Sequence, residues 1–151
     1  LRQRVAVFSS PIRTGRPLTQ AVLTSNMKIF TIEEANALLP SVREILRKIQ
    51  RSRRRLAAYR KQSKLAAEGA ELGGGGITDG PLYAAILTNF TEEMAELEDL
   101  GVQLKDFERG LVDFPSLRDG RVVLLCWQLG EGDELEFWHD VDAGFGGRTP
   151  L

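Results

Sequence analysis

The chain has one cysteine and one histidine, and each scarcity excludes a class of chemistry. A single cysteine rules out an internal disulfide and any multi-cysteine zinc site, and it fits a reducing cytoplasm. One histidine leaves little for a transition-metal centre. No apolar run approaches the roughly 20 residues that cross a bilayer, so the expectation is a soluble cytoplasmic protein with no membrane partner. The glycine run Gly73–Gly76 lacks the Gly-Lys-Ser/Thr ending of a phosphate-cradling loop and reads as a flexible linker. No dinucleotide fingerprint is present either. Asp106, Glu108, Asp113, Asp140 and Asp142 offer oxygen ligands, but not at the spacing of a known cation loop. The expected cofactor and metal content is therefore none.

What remains is 151 residues, 42% hydrophobic and 27% charged, with a net charge of -1. That composition is globular, and the length suits one core. The first stretch, residues 1–26, carries four arginines, no acid, Pro11 and Pro17. It reads as an extension outside the fold, either a leader or an over-extended terminus. The domain is placed at 27–151.

Met27–Phe30 is a candidate strand. Thr31-Ile32-Glu33-Glu34 then forms a capping box, in which hydroxyl and carboxylate satisfy orphan amides. The first helix is expected over 32–39, ended or kinked by Pro40. Ser41-Val42-Arg43-Glu44 repeats the capping pattern, and a long helix over 41–68 follows, with Val42, Ile45, Leu46, Ile49, Leu56 and Tyr59 on one side. Asp79-Gly80-Pro81 starts another helix, expected over 81–100. In it Tyr83, Leu87, Phe90, Met94, Leu97, Gly101 and Leu104 make a coiled-coil-like seam suited to a partner helix. The two long helices fold back as an antiparallel hairpin.

After Gly101 the hydrophobic period becomes two. Val102–Lys105, Leu111–Phe114, Arg121–Leu129 and Glu134–Val141 are strand candidates within a small sheet over 102–141, and 142–151 is a tail over it. Pairing Leu129 with Glu134 sets Cys126 opposite Phe137 and Leu124 opposite His139. The fold class is α+β, a helical hairpin packed with a three-stranded antiparallel meander.

FTIEEANALLP, KDFERGLVDFP, DGRVVLLCWQLGE and WHDVDAGFGGRTPL together resemble a small bacterial family catalogued only as domain-of-unknown-function family 2203. The likeness runs from Met27 to Leu151. It implies a bacterial or chloroplast-type cytosolic origin and a domain start at Met27. It brings no activity, cofactor or catalytic residue.

Three constellations carry candidate function. From Arg43 to Lys64 ten bases, among them Arg47, Arg51, Arg53, Arg54, Arg55, Arg60 and Lys61, face one acid, Glu44. This is the footprint of phosphate-backbone binding, by RNA or the ribosome. The bland reading is pairing with the acidic returning helix, Arg55 near Glu92 and Glu93 and Arg51 near Glu96. Cys126 and His139 share a sheet face at a diagonal of about 7–8 Å. They are a thiol and base on paper, and more commonly two packed residues. Trp127, Glu136, Trp138 and Asp140 share the opposite face, as a ligand pocket or as the packing face for the helices. In the tail, glycines around Phe145 with Arg148 make either an anion nest or a clasp held by Phe145 and an Arg148 salt bridge. The favoured function is a non-enzymatic protein-interaction module, self-associating as a homodimer along the seam. RNA or ribosome binding comes second. An enzyme or ligand-binding protein using Cys126, His139 or the tryptophan face comes third.

Overall fold

The computed structural model describes residues 27–70 and 79–151. The readings of 1–26 as an extension and of Gly73–Gly76 as a linker lie outside the described residues. Helix α1 is Ile32–Ala70 and α2 is Gly80–Asp99. Strands β1 (Gln103–Asp106), β2 (Leu111–Arg118), β3 (Arg121–Gln128), β4 (Phe137–Asp140) and β5 (Thr149–Pro150) follow, with a 3-10 turn at Phe145–Gly147. The sheet is antiparallel, in the order β1-β2-β3-β4-β5. The architecture is α+β as expected. The meander has five strands rather than three: β1 adds one edge by pairing with β2, and the tail adds the other, pairing Trp138 with Thr149 and Phe137 with Pro150.

The capping box closes reciprocally at Thr31: its amide donates to Glu34 Oε2 at 2.9 Å and its Oγ1 accepts from the Glu34 amide at 3.1 Å. The expected break at Pro40 does not occur, and Ser41 starts no second helix. A proline inside a helix costs roughly 3 kcal/mol. Here Ala35 and Leu39 before it, and Val42, Ile45, Leu46 and Ile49 after it, are all buried in one core, while Pro40 is exposed. Burial of each such side chain returns about 1.5–3 kcal/mol, so packing outweighs the proline. Residues 27–30 add no strand. Phe30 makes a single parallel bridge to Ser116: its amide donates to Pro115 O at 2.8 Å, and Ser116 Oγ donates to Phe30 O at 2.7 Å. That contact shows that the Pro115 backbone points away from β3, so its missing N–H costs the β2–β3 ladder nothing.

Asp79 caps α2 by accepting from the Leu82 amide at 3.1 Å. At the other end Gly101 (φ +84) takes the left-handed C′ position, its amide on Glu98 O and the Val102 amide on Leu97 O. This is a Schellman stop, and a Cβ at Gly101 would lie 2.8 Å from Lys28 Cβ. The helices form the expected antiparallel hairpin, with a corrected register. Lys48, not Arg51, reaches Glu96 (3.5 Å), and Ser52, not Arg55, reaches Glu93 (3.1 Å), a shift of about one turn. The seam is corrected as well. Ile86 and Leu97 are buried and Phe90 and Met94 half-buried against the core, but Leu87 is 43% exposed.

One face of the sheet, carrying Val112, Phe114, Leu125 and Trp127, packs on α1. The β3–β4 loop docks there too. Gly132 O accepts from Trp127 Nε1 (3.0 Å) and Arg43 (3.2 Å), Arg43 pairs with Asp133 (2.8 Å), and the Leu135 amide donates to Asn36 Oδ1 (2.8 Å). The tryptophan face is thus the packing face. No described helix is long and apolar enough to cross a membrane.

Candidate functional site

Side chains alternate across a pleated sheet, so the neighbours of the packing residues point away from the helices. The β2–β3 register sets Asp113 directly opposite Cys126, and the β3–β4 register sets Leu124 opposite His139 as expected. Three adjacent strands therefore deliver Asp113, Cys126 and His139 to one point. Their oxygen, sulfur and nitrogen atoms all lie within 4.8 Å of one another, and their exposures are 1%, 0% and 3%. Cys126 and His139 are the diagonal neighbours expected, and their side chains lean together across that diagonal.

Hydrogen bonds fix the roles. His139 Nδ1 lies 2.8 Å from Asp140 O, an atom that only accepts, so Nδ1 carries the proton and Nε2 faces the cluster. Nε2 is 3.3 Å from Asp113 Oδ1, and Lys105 Nζ approaches Asp113 Oδ2 at 3.8 Å. Burial, then the Asp113 charge, pushes the Cys126 thiol up to about 12, and Arg148 offsets only part of that. A thiol so placed is protonated at neutral pH and is no nucleophile. This weighs against reading Cys126 and His139 as a nucleophile and its base.

Arg148 roofs the cluster. Its Nη1 and Nη2 donate to Glu131 Oε1 and Oε2 at 2.6 and 2.9 Å, and its Nε donates to Cys126 Sγ at 3.2 Å. The guanidinium centre lies 4.7 Å from the Phe137 ring and 4.6 Å from Phe145. Glu131 also accepts from the Gln128 amide at 2.8 Å. Burial works to raise the Glu131 carboxyl, but these bonds hold it below the usual carboxylate value. The clasp reading of the tail accounts for the contacts of Arg148 with Glu131 and Phe145.

The remaining candidates scatter. Trp127 is 1% exposed in the core. Trp138 is half-buried, with Arg118 and Arg121 over its ring. Glu136 and Asp142 are exposed, and neither joins the cluster. Of the acidic residues read as cation ligands, Asp113 alone belongs to a three-residue set among the described residues, and its partners are sulfur and nitrogen, not oxygen. Sequence reasoning missed it as a partner of Cys126. The signal was present in Arg118-Asp119-Gly120-Arg121, a two-residue hairpin turn that fixes the β2–β3 register. A cleft of about 420 Å³ lies elsewhere, lined mainly by Phe30, Ile32, Leu117, Arg118, Val123 and Leu151.

The basic helix is a second candidate. Arg47, Arg51, Arg54 and Lys61 recur at helical spacing on the face opposite the buried one, Arg55 flanks them, and all five are exposed. Among the described residues none has a carboxylate within 4 Å, whereas Lys48 pairs with Glu96 and Arg53 with Glu108. Arg53 also covers Phe107 and lies off the stripe, as does the exposed Arg60.

No curated protein and no solved structure matches the chain. The family model described as "Uncharacterized conserved protein (DUF2203)" matches residues 28–151, the helical hairpin and the whole sheet, and the chain belongs to that family.

Proposed function

We propose that this protein binds a phosphate backbone, of RNA or of the ribosome, through the outward face of α1. The observation that carries the reading is the stripe Arg47, Arg51, Arg54, Arg55 and Lys61, exposed and without a carboxylate partner among the described residues. The acidic helix neutralises the patch less than the sequence allows, because Glu96 takes Lys48 and Glu93 takes Ser52. From Arg47 to Lys61 the stripe extends about 21 Å at 1.5 Å per residue, long enough to follow several phosphates. Few aromatics interleave, which favours a structured backbone over stacked single strands.

Fluorescence anisotropy with a labelled RNA hairpin tests this. Four to five phosphate contacts give a loss of affinity of about 10²–10³-fold between 50 and 200 mM salt. Replacing Arg51, Arg54 and Arg55 by alanine removes most of that slope, while Arg60→Ala changes it little. Binding that is independent of salt, or untouched by the triple variant, overturns the proposal. A protein partner is the second reading, favoured by Leu65, Leu82 and Leu87, which stand 59%, 49% and 43% exposed on the hairpin.

A further inference from the structure

We propose that Asp113, Cys126 and His139 hold a divalent transition-metal ion, zinc in the first instance, beneath the Arg148 roof. Four observations carry it, and none depends on the basic helix. Three different donor types converge from three adjacent strands, with every donor atom within 4.8 Å of the others. Ligand bonds of about 2.0–2.3 Å set tetrahedral neighbours roughly 3.3–3.6 Å apart. The 3.3 Å between His139 Nε2 and Asp113 Oδ1 already meets this.

Secondly, the histidine is oriented as a ligand. Its Nδ1–H is spent on Asp140 O at 2.8 Å, the outer hydrogen bond that fixes the tautomer of metal-bound imidazoles and turns the Nε2 lone pair inwards. Thirdly, the sulfur accepts a hydrogen bond from Arg148 Nε at 3.2 Å, which stabilises a thiolate, and Arg148 is itself locked by two bonds to Glu131. Fourthly, the ligand charges match the ion. A divalent ion, a thiolate, a carboxylate and a neutral imidazole sum to zero, and Arg148 with Glu131 sums to zero beside them. The remaining charge near the ligands, Lys105 at 3.8 Å from Asp113 Oδ2, is on a side chain 40% exposed. Buried ligands require such matching.

A soft sulfur with nitrogen and oxygen suits zinc better than magnesium or calcium. On binding, Cys126 Sγ, His139 Nε2 and an Asp113 oxygen form bonds to the ion. The thiol proton and the proton between Nε2 and Oδ1 leave to solvent, and no electrons move. Three protein ligands leave one position for water.

The test is a titration of the untagged chain, stripped with a chelator, with Co²⁺ as spectroscopic probe and Zn²⁺ in competition. The expected result is one ion per chain, a thiolate-to-cobalt charge-transfer band, and displacement by zinc. The chain has a single cysteine, so a sulfur band in the unmodified protein comes from Cys126 whether or not its variants fold. Arg148→Ala loses affinity by about 10–100-fold, the usual cost of an outer hydrogen bond, and His139→Gln loses more. No band with cobalt in excess, or binding that survives in folded Cys126→Ser and His139→Gln, overturns the assignment.

Discussion

Arg148→Ala tests the tail most directly. The change removes two charge-assisted hydrogen bonds to Glu131, one to Cys126 Sγ, and a cation held between Phe137 and Phe145. Loss of one partner from a fully buried pair costs about 3–5 kcal/mol, and an exposed pair about 0–1. Arg148 and Glu131 sit between these limits, with side chains 12% and 28% exposed. The expected loss is therefore about 2–3 kcal/mol, on the order of 10 °C in Tm. Arg121, 58% exposed and paired to Asp140, is the matched control, with an expected loss below about 1 kcal/mol for Arg121→Ala. The second readout is chemical. With the Cys126 thiol pushed up to about 12 and buried, only about one in 10⁴ is ionised at pH 8, so a maleimide reagent reacts slowly in chelator. Detaching the tail exposes the sulfur and accelerates labelling well before global unfolding. A folded Arg148→Ala protein whose thiol labels as slowly as the parent, with unchanged Tm, would falsify the roof argument.

Further outcomes follow from the same contacts. Because the Glu131 carboxyl is held below its usual value when folded, its stabilisation is complete above the unfolded value of about 4.5 and is lost as pH falls through the lowered one. The Gln128 amide resonance, whose N–H reaches Glu131 Oε2, reports that loss, and an inflection at or above 4.5 contradicts the assignment. Pro40→Ala restores a helix amide at an exposed position and stabilises by about 1–2 kcal/mol after the entropy given back to the unfolded chain, read from denaturant midpoints. A lower midpoint means the proline is matched to a bend that the core requires. Gly101→Ala combines a positive φ with a Cβ 2.8 Å from Lys28 Cβ, so it destabilises by roughly 1–3 kcal/mol, and a neutral melt shows that the Schellman stop is unimportant.

How much of this was legible in the sequence depends on how local its cause is. The capping box at Thr31, the end of α2 near residue 100 and the β3–β4 register are set by a few neighbouring residues and read correctly. Gly101, which the spacing puts in the helical seam, is instead the left-handed stop of that helix. Pro40 misled because its local cost is real, and the core that outweighs it comes from strands more than sixty residues away. The hairpin register slipped by a turn because charge pairing between exposed side chains is weak beside the burial of Ile49, Ile86 and Leu97. The site was half legible. Cys126 and His139 could be put on one face, but Asp113 joins them only when the turn at Asp119-Gly120 is carried across two strands, and Arg148 only when the tail is laid back over β4.

The shortness of the outermost strands has its own consequence. A sheet's unpaired margin is a template for adding another chain, by β-augmentation or by aggregation. On one side the margin is β5, two residues long and ending in Pro150, which has no N–H to offer. On the other it is β1, four residues long, with a bulge between Leu104 and Asp106 that bends the ladder and places Lys105 at the irregularity. Neither margin of the described sheet offers a run of free amides and carbonyls long enough to template a further strand. Recognition through this sheet would have to use side chains rather than backbone, which turns attention to the arginine face of α1 and the surface around Arg148.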